Sequence, residues 1–215
     1  MSKYDGKAER WTEGEYADAR AYLEYRARLI VELGPRLAPG DRVLDLACGD
    51  GGLGEHLLAR GLAYTGVDAS EAMVAAARAR LGGRAEVVAG DLNEYVPAGP
   101  VAATTCFRAI YYAHDRRAFF RRIAGYTSKK LVFDLNPRQY RVEDVRADLL
   151  AVGFDRLDLR PFFSPQRFSL PRLAESALHG LEATPVARLL LRFRFSYVCA
   201  ASRGAAAVEQ ARAEW

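Results

Sequence analysis

Cysteine is scarce. Three residues, Cys48, Cys106 and Cys199, lie far apart in a chain of 215. They are odd in number and show neither a Cys-x-x-Cys pair nor a metal-ligand spacing, so no disulfide framework or zinc knuckle is encoded. Reduced core residues are expected, with only Cys48 near chemistry. Long apolar runs are absent too. Nothing approaches the roughly 18 residues that a membrane helix needs, and the opening MSKYDGKAERW is charged where a secretory signal would be apolar. A soluble, cytoplasmic chain without a membrane span is the expectation. The net charge of +4 is not gathered in one block, since Arg116, Arg117, Arg121 and Arg122 recur among acids as on solvated helix faces. No repeat occurs, and the only biased segment is the Ala-rich tail 205–215.

What is present, from residue 41 onward, is an alternation of short apolar runs with amphipathic stretches. That is the pattern of a mostly parallel sheet covered by helices on both faces. Strands are predicted over 42–47, 63–68, 85–89, 101–107, 130–135 and 156–162, with a long last strand over 189–201. Helices are predicted over 52–60, 71–81, 115–125, 142–152 and 172–181. Ser70 is placed to cap the second of them, and Gly61, Gly82 and Gly153 are placed to end three. The chain divides into an N-terminal helical cap (1–40), a core (41–163), an insertion at the substrate side or sheet edge (164–188), and a last strand and tail (189–215). All form one structural domain.

Chemistry concentrates where the first strand hands over to a helix, in Asp45-Leu46-Ala47-Cys48-Gly49-Asp50-Gly51-Gly52-Leu53-Gly54. Gly49, Gly51 and Gly54 satisfy Gly-x-Gly-x-x-Gly, which permits tight bending and close ligand approach and also suits a dinucleotide pyrophosphate. Asp45 and Asp50 argue against a phosphate, because two carboxylates would face it. A cationic ligand is tolerated there, and S-adenosylmethionine (AdoMet) carries an ammonium and a sulfonium but no phosphate. Asp68, ending the second strand, can accept from both ribose hydroxyls. Asp91, in Gly90-Asp91-Leu92 after the third strand, can accept from the adenine amine, while Met73 and Leu92 offer apolar surface to the ring.

The run Val43 to Gly51 resembles motif I of the class I AdoMet-dependent methyltransferases. Asp68, Gly90-Asp91-Leu92 and Leu149 to Phe154 resemble that family's later landmarks, over roughly residues 41–158. Small-molecule enzymes similar to those of ubiquinone and menaquinone biosynthesis are the type implied. The implied fold is an α/β Rossmann-like three-layer sandwich, its seven-stranded sheet mostly parallel with an antiparallel last strand. The implied cofactor is AdoMet, leaving as S-adenosylhomocysteine. Its expected contacts are Asp45, Ala47, Cys48, Gly49, Asp50, Gly51, Asp68, Ala69, Met73, Gly90, Asp91, Leu92, Phe107 and Arg108.

The methyl acceptor is expected to be a small, partly apolar or aromatic molecule, methylated on O or N. His114 is the candidate base, because histidine titrates near neutrality. Its rival role is helix capping together with Asp115. Tyr111 is a second catalytic candidate, with one of Tyr111 and Tyr112 expected in the core. Trp11, Tyr16 and Tyr112 are substrate-side candidates. No metal is expected, since strand four ends in Phe107-Arg108 and offers no carboxylate to join Asp134 and Asn136. The nucleic-acid amino-methyltransferase signature Asn-Pro-Pro-aromatic is absent after strand four, so no nucleic-acid partner is favoured. A nicotinamide-dependent oxidoreductase and a non-catalytic AdoMet-binding protein remain alternatives.

Overall fold

The computed structural model describes residues 11–165, 169–184, 186–187 and 196–203, except for the side chains of Trp11 and Glu13. Two helices, α1 (Trp11–Glu15) and α2 (Ala19–Glu32), precede an alternating series. That series runs β1 (Arg42–Leu46), α3 (Gly52–Leu58), β2 (Ala63–Asp68), α4 (Glu71–Leu81), β3 (Glu86–Ala89), β4 (Val101–Cys106) and α5 (Arg116–Tyr126). It ends with β5 (Thr127–Leu135), α6 (Val142–Leu150), β6 (Arg156–Phe162), α7 (Arg172–Glu182) and β7 (Ser196–Ser202). The first half of the predicted last strand, 189–195, and the tail from 204 lie outside the described residues. No helix among the described residues is long and apolar enough to cross a membrane.

The seven strands form one sheet in the order β3-β2-β1-β4-β5-β7-β6, parallel except for β7, which runs antiparallel to both β5 and β6. The expected Rossmann-like sandwich is therefore borne out. Alternation of side chains along each strand divides the interior into two layers. Val43, Ala103, Val132, Val198 and Ala200 pack with α2, α3 and α4 on one face. Leu44, Leu46, Cys106, Leu131, Phe133 and Cys199 pack with α5 and α6 on the other. β4 is buried along its whole length, as a central strand covered on both faces must be.

Local chemistry sets the helix ends. Ser70 Oγ accepts from the Met73 amide at 3.4 Å, and Gly82, at φ +57°, closes α4. Asp115 caps α5 through the Ala118 amide at 2.9 Å. β5 begins three residues earlier than the sequence pattern indicates, because polar residues that read as a loop find partners. Thr127 Oγ1 meets Thr104 Oγ1 at 2.6 Å and Lys129 Nζ reaches Asp41 at 2.6 Å, while Lys130 Nζ, within the predicted strand, donates to the carbonyls of Val31 and Leu33 at 3.2 and 2.7 Å. Lys130 thereby ties the end of α2 to the middle of the sheet. The strand order reverses between β1 and β4, which is where an open α/β sheet leaves a crevice outside its carboxyl ends.

Candidate cofactor and acceptor cleft

A cleft of about 840 Å³ opens at that reversal point, lined by residues from α1, α2 and the carboxyl ends of β1 to β4. Of the fourteen residues expected to touch a cofactor, all but Gly51 line it. Gly51 has φ +77°, and a Cβ there would stand 3.1 Å from the Ala77 Cβ. Its smallness lets α4 approach the turn. Gly54 is similar, since a Cβ would fall 2.8 Å from the Tyr64 ring. Only Gly49 of the three pattern glycines faces the cleft.

Asp68 organises the turn from the next strand. Its Oδ2 accepts from the Gly49 amide and its Oδ1 from the Ser70 amide, both at 2.9 Å. A carboxylate oxygen can accept two hydrogen bonds, so each keeps one site for a ligand hydroxyl. Asp91 is held by the Asn93 amide at 2.6 Å, and this bond, opposed by partial burial, leaves its carboxyl below the usual range.

Both acids of the turn line the cleft, but their carboxylates are held in different ways. Asp50 is buried and its carboxylate is engaged within the protein. It accepts from the Thr12 amide at 2.9 Å, the Thr12 hydroxyl, the Gly52 amide at 3.3 Å and Arg80 Nη2 at 3.0 Å. Asp45 accepts from Tyr64 Oη at 2.8 Å and Thr105 Oγ1 at 2.6 Å. Burial pushes its carboxyl up to about 6, against the pull of those two bonds and of Arg26. The Cys48 thiol is pushed well above its ordinary value, chiefly by burial, and reads as packing against the cleft floor.

Backbone strain gathers at the same edge. Ala47 (φ +60°) and Arg108 (φ +55°) are the non-glycine residues with positive φ among those described, each just beyond a strand that borders the reversal point. Such conformations cost about 1–3 kcal/mol and persist where surroundings fix them. For Arg108 the surroundings are Asp134 Oδ1, which accepts its amide at 2.7 Å, and Glu15, which pairs with its guanidinium at 3.0 Å.

Tyr111 and Tyr112 are both exposed at the rim, which corrects the expectation that one is core. Ile110 supplies the buried anchor of their 3₁₀ turn instead. His114 is exposed beside them. Its amide donates to Asn93 Oδ1 at 3.0 Å, while Asn93 Nδ2 donates to the Tyr112 carbonyl at 3.1 Å. The whole turn is thus stitched to the loop that follows β3. Tyr16 lines the cleft, stacked on Tyr22 with centroids 4.2 Å apart. Trp11 opens α1, but its side chain lies outside the described residues. Among the described residues of the 164–188 segment, none lines the cleft.

Sequence reading missed Thr12, Glu15, Arg26 and Arg80. Arg26 carried a usable signal: it sits in the apolar stripe of α2 formed by Tyr22, Leu23, Leu29 and Ile30, where a charge needs a reason. Its side chain is only 4% exposed. The guanidinium carbon lies 4.4 Å from the Phe107 ring centroid, 4.8 Å from Tyr22 and 5.6 Å from Phe162, and Nη2 donates to Tyr22 Oη at 2.7 Å.

A sheet of this order with acids at successive strand ends is the arrangement of the class I AdoMet-dependent methyltransferases. Residues 43–130 match the family described as a methyltransferase domain. The resemblance read from motif I is thereby borne out. No curated protein matches the sequence. Many solved structures share the fold. Magnesium protoporphyrin IX methyltransferase from Synechocystis PCC 6803, with bound SAM, is 18% identical at a TM-score of 0.60, over 95% of this chain and 86% of its own. A TehB-like SAM-dependent methyltransferase from Corynebacterium glutamicum is 20% identical at 0.60, over 93% and 97%. The 4+2 cyclase SpnF is 18% identical at 0.64, over 93% of both chains.

Proposed function

We propose that this protein binds AdoMet in the cleft and transfers its methyl group to an oxygen or nitrogen of a small-molecule acceptor in the cytoplasm. The observation that carries this reading is the state of the α3 N-terminus. In a dinucleotide fold the first helical amides point at the pyrophosphate. Here the Gly52 amide is already taken by Asp50, and Thr12 covers Gly52 so closely that a Cβ would meet its hydroxyl at 2.5 Å. A phosphate is therefore refused by the protein's own carboxylate and by α1. A ligand without phosphate can still use the rest of the cleft.

The residues present fit such a ligand. Asp68 keeps two acceptor sites for ribose hydroxyls, and Asp91 with Leu92 and Met73 suits an adenine. Asp45, Gly49 and Phe107 would border the amino-acid end. The Synechocystis relative was solved with SAM bound, which supports the choice of ligand. AdoMet supplies an activated methyl on sulfonium, open to in-line displacement. What the chain contributes is alignment of the acceptor and exclusion of water. The stitching of His114 to Asn93 supports a place for it at the edge of the adenine pocket, and we assign it no proton transfer.

Isothermal titration tests the reading. S-adenosylhomocysteine should bind and NAD should not, and Asp68→Ala should weaken the former by about 1–3 kcal/mol through lost charge-assisted hydrogen bonds. Binding of NAD without S-adenosylhomocysteine would sink it.

A further inference from the structure

A second hollow, of about 140 Å³, lies between α2, β6 and α7 and shares no lining residue with the cleft. Tyr25, Arg28, Glu32 and Gly34 border it from α2 and the turn that follows, Arg160 from β6, and His179 from α7. The Tyr25 ring lies on His179 with centroids 3.5 Å apart, and the Arg28 guanidinium carbon stands 4.8 Å from the Tyr25 centroid. Burial first and Arg28 second push His179 down to about 4, so the imidazole is neutral near pH 7. The nearest buried acid, Glu182, does not line the hollow. It accepts from the Tyr25 hydroxyl and the Phe163 amide instead.

The lining carries two guanidinium groups against one carboxylate, that of the exposed Glu32. Neither Arg28 nor Arg160 takes part in an ion pair among the described residues. One exposed arginine without a partner is ordinary. Two that converge on one hollow from a helix and an edge strand repel each other, and a shared anion removes that repulsion. The charges of both reach Tyr25 and Glu182, which puts them on the same side of that pair. Carbonyls at the end of α2 would oppose an anion, but those of Val31 and Leu33 are taken by Lys130. Asp158, beside Gly34, is paired with Arg156 at 2.9 Å.

We infer that this hollow is a second ligand site, separate from the donor cleft, which holds a phosphate group between Arg28 and Arg160. Guanidinium groups suit that ligand, because their planar forks match its oxygens and they stay charged. Free phosphate and the phosphate of a small monoester offer the same chemistry. The stacked pair of Tyr25 and His179 gives the organic part of a monoester a flat surface to rest on.

The test is isothermal titration of the full-length protein at low ionic strength with inorganic phosphate and with phenyl phosphate, each with and without S-adenosylhomocysteine. Phosphate should bind in both conditions. Arg28→Gln and Arg160→Gln should each weaken it about tenfold, as expected when a charge-assisted pair is lost. Arg28→Lys, which keeps the charge but not the fork, should recover part of that loss. Arg146→Gln, at an exposed position on α6, should leave the affinity within about twofold.

Absence of phosphate binding to the wild type overturns the inference, and this arm needs no variant to fold. Displacement of phosphate by S-adenosylhomocysteine overturns it too, since the anion would then lie in the cleft. So does an equal loss in Arg146→Gln, which would make the attraction one of general surface charge. Tighter binding of phenyl phosphate than of phosphate assigns the site to a monoester, and equal or weaker binding assigns it to the free ion.

Discussion

Asp45 and Asp50 look alike in the sequence, one carboxylate before a glycine turn and one within it, yet their surroundings give them different work. Asp50 is paired with Arg80 and bonded by Thr12, which makes it a clamp. Asp45 is buried with two hydroxyl donors and no ion pair, and its carboxyl is raised to about 6. A raised carboxyl means that the folded protein holds the proton more tightly than the unfolded chain does. Its contribution to stability is therefore present below about pH 4 and is lost as pH rises through 6. The gap between those values corresponds to roughly 3 kcal/mol. Replacing Asp45 with Asn removes this dependence, so urea unfolding at pH 4 and pH 7 should show the variant gaining on the wild type by up to that amount. A difference that stays constant with pH would place the titration on another group. The acids were legible as a cluster because strand ends and glycines mark themselves. Which of them faces a ligand was not, since Arg80 and Thr12 reach Asp50 from 30 and 38 residues away.

At the level of elements, α1 is a helix of five residues, too short to persist on propensity alone. It is held by Asp50 at one end and by the Glu15 to Arg108 pair at the other, which spans from the cap to the end of β4. Substituting Asp50 with Ala leaves both Thr12 donors without their acceptor and takes one acidic partner from Arg80, which keeps Glu55 and the carbonyl of residue 50. Losing the hydrogen bonds to Thr12 costs about 2 kcal/mol, and for a chain of this size the melting temperature should fall by roughly 4–8 °C. The sharper readout is hydrogen exchange at the Thr12 amide, which should lose its protection. Retained protection would show that α1 is held by something other than Asp50. The sequence announced the core helices well, because Ser70, Asp115 and Gly82 are local signals that act within a few residues. The start of β5 was read late, because Thr127, Ser128 and Lys129 look like loop residues until Thr104, Val101 and Asp41 supply their partners. Of the insertion, the helical run was plain. Its place beside β6, where Glu182 accepts from the Tyr25 hydroxyl and from the Phe163 amide at 2.5 Å, was not.

Across the whole molecule, one hydrogen-bonded chain links the cap to the first half of the sheet. Thr12 bonds Asp50 in the turn, Gly49 of the turn bonds Asp68 at the end of β2, and Asn93 joins the loop after β3 to the 3₁₀ turn after β4. α7 touches α2 at Tyr25, but it has a small apolar cluster of its own around Phe163 and Ala187 and no described residue of it lines the cleft. A ligand that fills the donor half should therefore stiffen the first group together and leave the second alone. S-adenosylhomocysteine at about one hundred times its Kd should stabilise the fold by about 2.7 kcal/mol, a rise of roughly 5–11 °C in Tm. Hydrogen exchange should slow at the Thr12, Gly49 and His114 amides at once, because each is a donor in that chain. It should be unchanged along α7. Equal slowing of α7 would mean that the edge and the cleft move as one body, and slowing at Gly49 without Thr12 would mean that α1 closes independently of the donor.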